Sequence, residues 1–248
     1  MKCFVLGDSH IGALRSSIDN FGLPPGIEEV TFYAGPSASM ADLVVRDGNL
    51  IPTSEKLSRM LSYTSGGNPF IDFKSADIIV IHGLSLSISV CSRILDKNTI
   101  EVGQSQNLTY ITLACLSQAI ADNLQRRLAI HVLKMVRQVT NKPIFLSQTP
   151  FPDARINNLK VKRWDFLKLD NKKGLYHAFN DGINIISNKY GAKSMPQPEC
   201  TLVDHIYTDS KCSKDSQGLA GGIHDESDFG HMNQHYGSLV WGGIIACL

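Results

Sequence analysis

Residues 3–14 read CFVLGDSHIGAL, an apolar run that stops at Gly7 and is followed by a carboxylate, a hydroxyl and an imidazole on Asp8, Ser9 and His10. A short apolar run closed by glycine is the pattern of a buried strand, and the apolar spacing resuming at Ile11 is that of a helix. The stretch therefore predicts a strand-to-helix turn. It puts three chemically able side chains beyond the carboxyl end of a strand, where open α/β sheets bind ligands. Those residues suit either a serine nucleophile or a metal site.

The same signature recurs along the chain. EEVTFYAG (28–35) and ADIIVIHG (76–83) are apolar runs ending in glycine, and KPIFLSQTP (142–150) ends in a proline turn. Between them, Leu113, Leu116, Ile120, Leu124, Leu128, Val132 and Val136 recur at three- and four-residue steps and predict one long helix from Thr109 to Val139. Further helices are predicted in 175–191, closed by Gly191, and in 234–248. Strands alternating with helices predict a parallel sheet covered on both faces. With 248 residues, 43% of them hydrophobic, the chain is long enough to build this as one domain spanning 1–248. Ser9, Gly35 and Gly83 then fall at the ligand-binding ends of strands, and Gln148 lies at the same face. The Lys160–Lys173 stretch reads as a solvated excursion, and Pro196–Asp228 as a long irregular segment ahead of the last helix.

Lys plus Arg number 24 against 23 Asp plus Glu. This balance gives no electrostatic reason to expect nucleic acid or an anionic membrane as partner and favours a small molecule. Without a basic, apolar leader pattern or a run of spanning length, the expected location is the cytoplasm. The six cysteines form no C-x-x-C pair, so reduced core thiols are expected rather than disulfides or a zinc cluster.

A serine hydroxyl is a weak nucleophile until a base takes its proton, and that base needs an acceptor to orient its other nitrogen. The histidine with the most informative neighbours is His231 in DESDFGHMNQHYG (225–237), three residues after Asp228. This D-x-x-H spacing can set a carboxylate beside the imidazole within one turn of chain. His224, Asn233 and His235 lie close by. His131, inside the long apolar helix, is expected to be a core or edge residue.

A G-D-S closing the first strand, together with D-x-x-H just before a carboxyl-terminal helix, resembles the SGNH (GDSL) hydrolase family over nearly the whole chain. The resemblance implies a three-layer αβα, flavodoxin-like parallel sheet and an ester hydrolase acting through an acyl-serine intermediate. It assigns Ser9 as nucleophile, with its own N–H as an oxyanion donor, and Asp228 and His231 as acid and base. Gly35 in FYAGPSAS (32–39) matches the family's second-block glycine, a further oxyanion donor. The third block, G-x-N-D, is not matched: IIVIHGLSLS (78–87) has Gly83, Leu84 and Ser85, so Ser85 is expected to donate in place of the asparagine. Asn68 is an alternative donor that reads better as a turn residue. Gly83, Gln148 and Asn233 are expected to contact substrate.

The resemblance implies no cofactor and, with the charge balance, a short acyl ester of a carbohydrate or other small molecule. An acyltransferase of the same fold and a non-catalytic sugar-binding module stay open. GDSH is also similar to the opening of metallophosphoesterases, where Asp8 and His10 would bind metal with help from His231 and His235 at i, i+4. The companion segments G-D-x-x-D-R-G and G-N-H-[DE] are missing, which disfavours that reading.

Overall fold

The computed structural model describes residues 1–101, 108–159, 162–219 and 221–248. Five parallel strands form the central sheet: β1 (Lys2–Gly7), β2 (Glu29–Ala34), β3 (Ile78–His82), β4 (Ile144–Ser147) and β5 (Lys193–Met195), in the order β2-β1-β3-β4-β5. This is the flavodoxin-like doubly wound order, whose switch point lies between β1 and β3. In register, Gly7 pairs with Ala34 on one side and His82 on the other, His82 with Ser147, and Ser147 with Met195. One row across the sheet thus marks its carboxyl edge.

Side-chain alternation explains the three layers. Cys3, Val5, Ile78, Val80 and Phe145 pack into one core with α1 (Ile11–Phe21) and α7 (Gln234–Ile245). Phe4, Leu6, Ile79, Ile81, Ile144 and Leu146 point the other way, into the larger core. That core also takes α2 (Glu55–Ser65), α3 (Val90–Leu95), α4 (Leu113–Leu124), α5 (Leu128–Val139) and α6 (Lys172–Lys189). A strand buried on both faces needs apolar residues at every position, as these runs have. A hairpin of Leu43–Arg46 and Asn49–Pro52 and the short pair Leu202–Val203 with Tyr207–Thr208 lie outside the sheet.

The long helix expected from Thr109 to Val139 is two helices. Thr112 caps α4 by accepting from Cys115 N, and the chain leaves helical geometry at Arg127, which is extended (φ −85°, ψ 153°). The apolar spacing runs unbroken through this corner, so periodicity alone does not reveal it. Tertiary contacts make the break: Ala129 N donates to Leu84 O at 2.9 Å, drawing the start of α5 onto the turn after β3, while α4 packs against α6. His131 is exposed on α5 rather than packed in the core. β5 was not anticipated, having three residues, two of them polar. Of the Lys160–Lys173 excursion, residues 160 and 161 lie outside the described residues, and 162–168 form a 3-10 turn. Cys3, Cys91 and Cys212 are buried free thiols, and Cys115 and Cys200 are exposed ones.

The contact between α1 and α7 joins the two ends of the chain. A Cβ on Gly237 would lie 2.0 Å from Ala13 O, and Trp241 Nε1 donates to Leu14 O at 3.1 Å. Gly237→Ala should therefore force the helices apart and destabilise the protein by about 1–3 kcal/mol. Urea unfolding should show this as a lower midpoint at unchanged slope, and a midpoint equal to wild type would show that the crossing relaxes freely.

Candidate active site

The site is assembled at the carboxyl edge of the sheet by two turns and one loop. β1 ends on Gly7 because a Cβ there would lie 2.1 Å from Ile11 Cγ2 and 2.7 Å from His82 O. The next residue, Asp8, is nearly buried, and its carboxylate bridges the two turns: Oδ1 accepts from His10 N at 3.1 Å and Oδ2 from Leu84 N at 2.9 Å. Gly83, Leu84 and Ser85 all have positive φ (77°, 50° and 64°). Two consecutive non-glycine residues in that region are strained, and such strain persists only where the surroundings over-determine it. Here Gly83 N donates to Ser147 O, Leu84 N to Asp8, Ala129 N to Leu84 O and Thr149 N to Leu86 O.

Ser9 follows Asp8 in the turn that opens α1. A serine there suits a helix cap, yet α1 has no side-chain cap, and Ser9 Oγ instead lies 2.8 Å from His231 Nε2, 222 residues away. The other ring nitrogen, His231 Nδ1, is 2.6 Å from Asp228 Oδ2. Asp228 Oδ1 accepts from Gly230 N at 2.9 Å and His231 N at 3.0 Å, so the D-F-G-H turn is folded around its own carboxylate. Burial opposes charge on Asp228, but these hydrogen bonds outweigh it and hold its pKa below the ordinary carboxylate value.

His231 is the middle ring of three. His224 stacks on one face at 4.1 Å between centroids and 8° between planes, and His10 on the other at 4.9 Å and 23°. His224 Nδ1 also lies 3.4 Å from Asp228 Oδ2. His224, Asp228 and His231 come close enough to suggest a cation site. The ring planes, however, are almost parallel, so no point lies in both, and a metal must lie near the plane of each imidazole it binds. The arrangement fits two rings sharing one carboxylate. Burial lowers the pKa of His10, against the pull of Asp8; burial and the nearby His231 lower that of His224.

Asp8, His10, Asp228 and His231 line a cleft of about 860 Å³. The segment after β3 supplies Ser85, Ser87, Ser89 and Ser92, the segment after β4 supplies Pro150, Pro152 and Ile156, and Trp164, Phe229 and Arg127 complete the lining. The 225–231 loop is held from below: Asp153 N donates to Phe229 O, and the Arg155 guanidinium stands over the Phe229 ring while pairing with the buried Asp153 carboxylate.

Several expected site residues have other duties. Gly35 N donates to Gly7 O at 3.3 Å, so its donor continues the β1–β2 ladder; its missing Cβ makes room for Ser39 and Leu57. Gly83 is packed against Asp8 and His10 and does not line the cleft. Gln148 is buried one residue below the lining, behind Thr149. The Asn233 amide is spent on structure: Oδ1 caps α7 at His235 N and Tyr236 N, and Nδ2 donates to Lys211 O and Lys214 O. His231 precedes α7 while His235 is exposed on it, so the two do not share a helical face. Both Asp8 oxygens accept from backbone N–H groups, so the carboxylate serves the two turns. Asn68 is an exposed turn residue whose N–H donates to Ser65 Oγ. Ser85 does reach the cleft.

No family model matches the chain, and no curated protein matches it. Among solved structures, the chain is similar to the periplasmic domain of a Salmonella ser. Paratyphi A lipopolysaccharide acetyltransferase, at 12% identity and TM-score 0.42, over 99% of this chain and 82% of that one. It is also similar to a DUF4886 family protein from Bacteroides uniformis, at 10% identity and TM-score 0.41, over 99% and 95% of the two chains. Likenesses this loose say nothing of activity.

His82, directly behind the site, yields a test of the buried edge. Its Nδ1 pairs with Ser147 Oγ at 2.9 Å, and burial, aided by His10, pushes its pKa down from 6.5 to about 3. Below pH 6.5 the unfolded chain binds a proton there that the folded chain refuses, so stability is full above that pH and is lost as pH falls toward 3. His82 alone should cost about 2–3 kcal/mol between pH 6.5 and 4.5. Denaturation at both pH values should show that loss in wild type and a smaller one in His82→Gln; equal losses would place the titration elsewhere.

Proposed function

We propose that this chain is a serine ester hydrolase of the SGNH type. The observation that supports it is the unbroken line Ser9 Oγ, His231 Nε2, His231 Nδ1, Asp228 Oδ2, with contacts of 2.8 and 2.6 Å, whose His231 and Asp228 line a cleft. In this reading Ser9 Oγ attacks the ester carbonyl carbon as His231 Nε2 takes its proton. Asp228 holds the ring in the competent tautomer and stabilises the imidazolium. Collapse of the tetrahedral intermediate breaks the carbon–oxygen bond to the alcohol, which leaves with the proton from His231. Water, deprotonated by the same nitrogen, then releases the acid and restores Ser9.

The oxyanion needs donors aimed at the cleft. The N–H groups of Ser9 and Ser85 donate to no acceptor among the described residues, and Asp8 holds their two turns together. With the Ser85 hydroxyl they form the donor set proposed here, in place of Gly35. A short acyl group on a carbohydrate remains the proposed substrate, supported by serine hydroxyls and the Trp164 and Phe229 rings in the lining. The size and openness of the cleft also favour a second reading, transfer of the acyl group to a sugar hydroxyl instead of water.

Nitrophenyl acetate and longer esters, acetylated sugars, and the same donors with an unacetylated sugar as acceptor should be assayed with wild type, Ser9→Ala, His231→Ala and the double variant. Each single change should lower kcat by about 10⁴–10⁶, and the double should cost little more, because the residues act as one unit. A fluorophosphonate should label wild type and spare Ser9→Ala. Activity and labelling that survive Ser9→Ala would overturn the serine mechanism, and product appearing only with acceptor present would make the enzyme a transferase.

A further inference from the structure

The cleft wall carries a cation, Arg127, that pairs with none of the described residues. Arg127 lies half-buried in the lining of the cleft, and its guanidinium has neither a carboxylate nor a hydrogen-bond acceptor among the described residues. Two other partly buried arginines show the alternative: Arg155 is bound to Asp153, and Arg137 donates to the carbonyls of Lys142, Tyr190 and Gly191. A guanidinium with five donors that no described residue engages is left to water or to a ligand entering the cleft. The two carboxylates in the lining do not serve, since Asp8 is committed to His10 N and Leu84 N and Asp228 to its own turn and His231.

The position of Arg127 is built. It occupies the corner between α4 and α5, where its N–H donates to Leu124 O at 2.8 Å and its carbonyl accepts from Ile130 N and His131 N. The neighbouring bond from Ala129 N to Leu84 O ties this corner to the turn that carries Ser85. The corner that carries Arg127 is therefore joined to the turn that carries Ser85, whose hydroxyl lines the cleft together with Ser89 and Ser92. The amino-terminal end of the 12-residue α5 adds a partial positive charge of its own.

We infer that Arg127 is an anion-recognition subsite, and that the ester this cleft receives is carried by a saccharide bearing a negative group, a carboxylate or a phosphate, which pairs with the guanidinium while serine hydroxyls meet the sugar. The inference rests on reading the cleft as the ester site, and it changes the expected substrate. A near-neutral chain suggests a neutral ligand, but Arg127 adds a cation to a lining whose two carboxylates are already hydrogen-bonded within the protein.

Binding tests it without requiring turnover. Methyl glucuronoside, glucose 6-phosphate and methyl glucoside should be titrated calorimetrically into the full chain as wild type, Arg127→Gln and Arg127→Lys, with thermal unfolding to confirm that each is folded. Wild type should bind at least one anionic sugar roughly ten- to a hundredfold more tightly than the neutral one, the worth of a charged hydrogen bond in a partly buried place. Arg127→Gln should lose that preference and Arg127→Lys keep part of it. Whether the carboxylate or the phosphate arm shows the effect identifies the anion. No preference in wild type, or a preference that persists in Arg127→Gln, overturns the subsite.

A parallel comparison of acetylated glucuronate and acetylated glucose as substrates separates this result from the fate of the ester reading. Selective binding without cleavage leaves the subsite standing and removes the hydrolase. Cleavage of both esters with equal kcat/KM, unaltered in ratio by Arg127→Gln, leaves the hydrolase and removes the subsite.

Discussion

The crossing of α1 and α7 is the constraint on which the site depends. Ser9 stands immediately before α1 and His231 three residues before α7, so the geometry of this one helix pair sets the distance between them. Glycine at 237 lets the backbones touch at Ala13, and the buried Trp241 fixes the rotation of α7 through its bond to Leu14 O. Neither end of the chain holds a complete site. The first turn offers a hydroxyl without a base, and the last loop offers an oriented imidazole without a nucleophile. Packing of apolar side chains on one face of the sheet closes that gap.

A second constraint acts across the sheet. β1 and β3 are neighbours at the switch point, where the chain leaves in different directions and a crevice opens. Asp8 spans that crevice. Its two oxygens accept from the turn after β1 and from the turn after β3, so the strained 83–85 segment is held at the position where Ser85 faces the cleft. Removing the carboxylate would leave the Leu84 N–H buried without an acceptor, a penalty of about 1–3 kcal/mol, and would release the strain toward a different backbone path. This is why an acid sits beside Ser9: it joins the two turns that border the cleft.

The legible parts of the sequence were those governed by local physics. Four of the five strands announced themselves as apolar runs closed by glycine or proline, because a strand buried on both faces admits no polar alternation. The Asp228–His231 turn was visible because a carboxylate three residues before an imidazole can be closed by local hydrogen bonds alone. What stayed hidden depended on contacts distant in sequence. β5 is short and polar and joins the sheet only through its neighbour β4. The corner at Arg127 interrupts no periodicity and is set by Leu84. Gly35, Gln148 and Asn233 were expected at the ligand because they lie near the right strand ends or the right histidine. Which way an N–H or amide points, and whether another group already holds it, is decided by the packed structure. His224 is near the base in sequence, but its stacking on His231 and the place of Arg127 in the cleft wall have no sequence signal.

The histidine stack shows how the distant and the local combine. Asp228 Oδ2 faces two imidazole nitrogens, at 2.6 Å from His231 and 3.4 Å from His224, and the shorter contact goes to the ring that reaches Ser9. Burial keeps His224 and His10 toward the neutral form, so the middle ring is flanked by two π-faces rather than two cations. In the proposed reaction His231 is the group that becomes charged, and a cation between neutral aromatic faces is favoured by their quadrupoles. Protonation of either flanking ring would reverse that sign, placing like charge within a stacking distance of the imidazolium. The outer rings are also what hold the plane of His231 in place, since its two nitrogens alone would let it tilt about the line from Ser9 to Asp228. Neutrality of the flanking histidines and fixed orientation of the central one thus have a common cause: the stacking that sets His10 and His224 against His231 goes with partial burial of both rings.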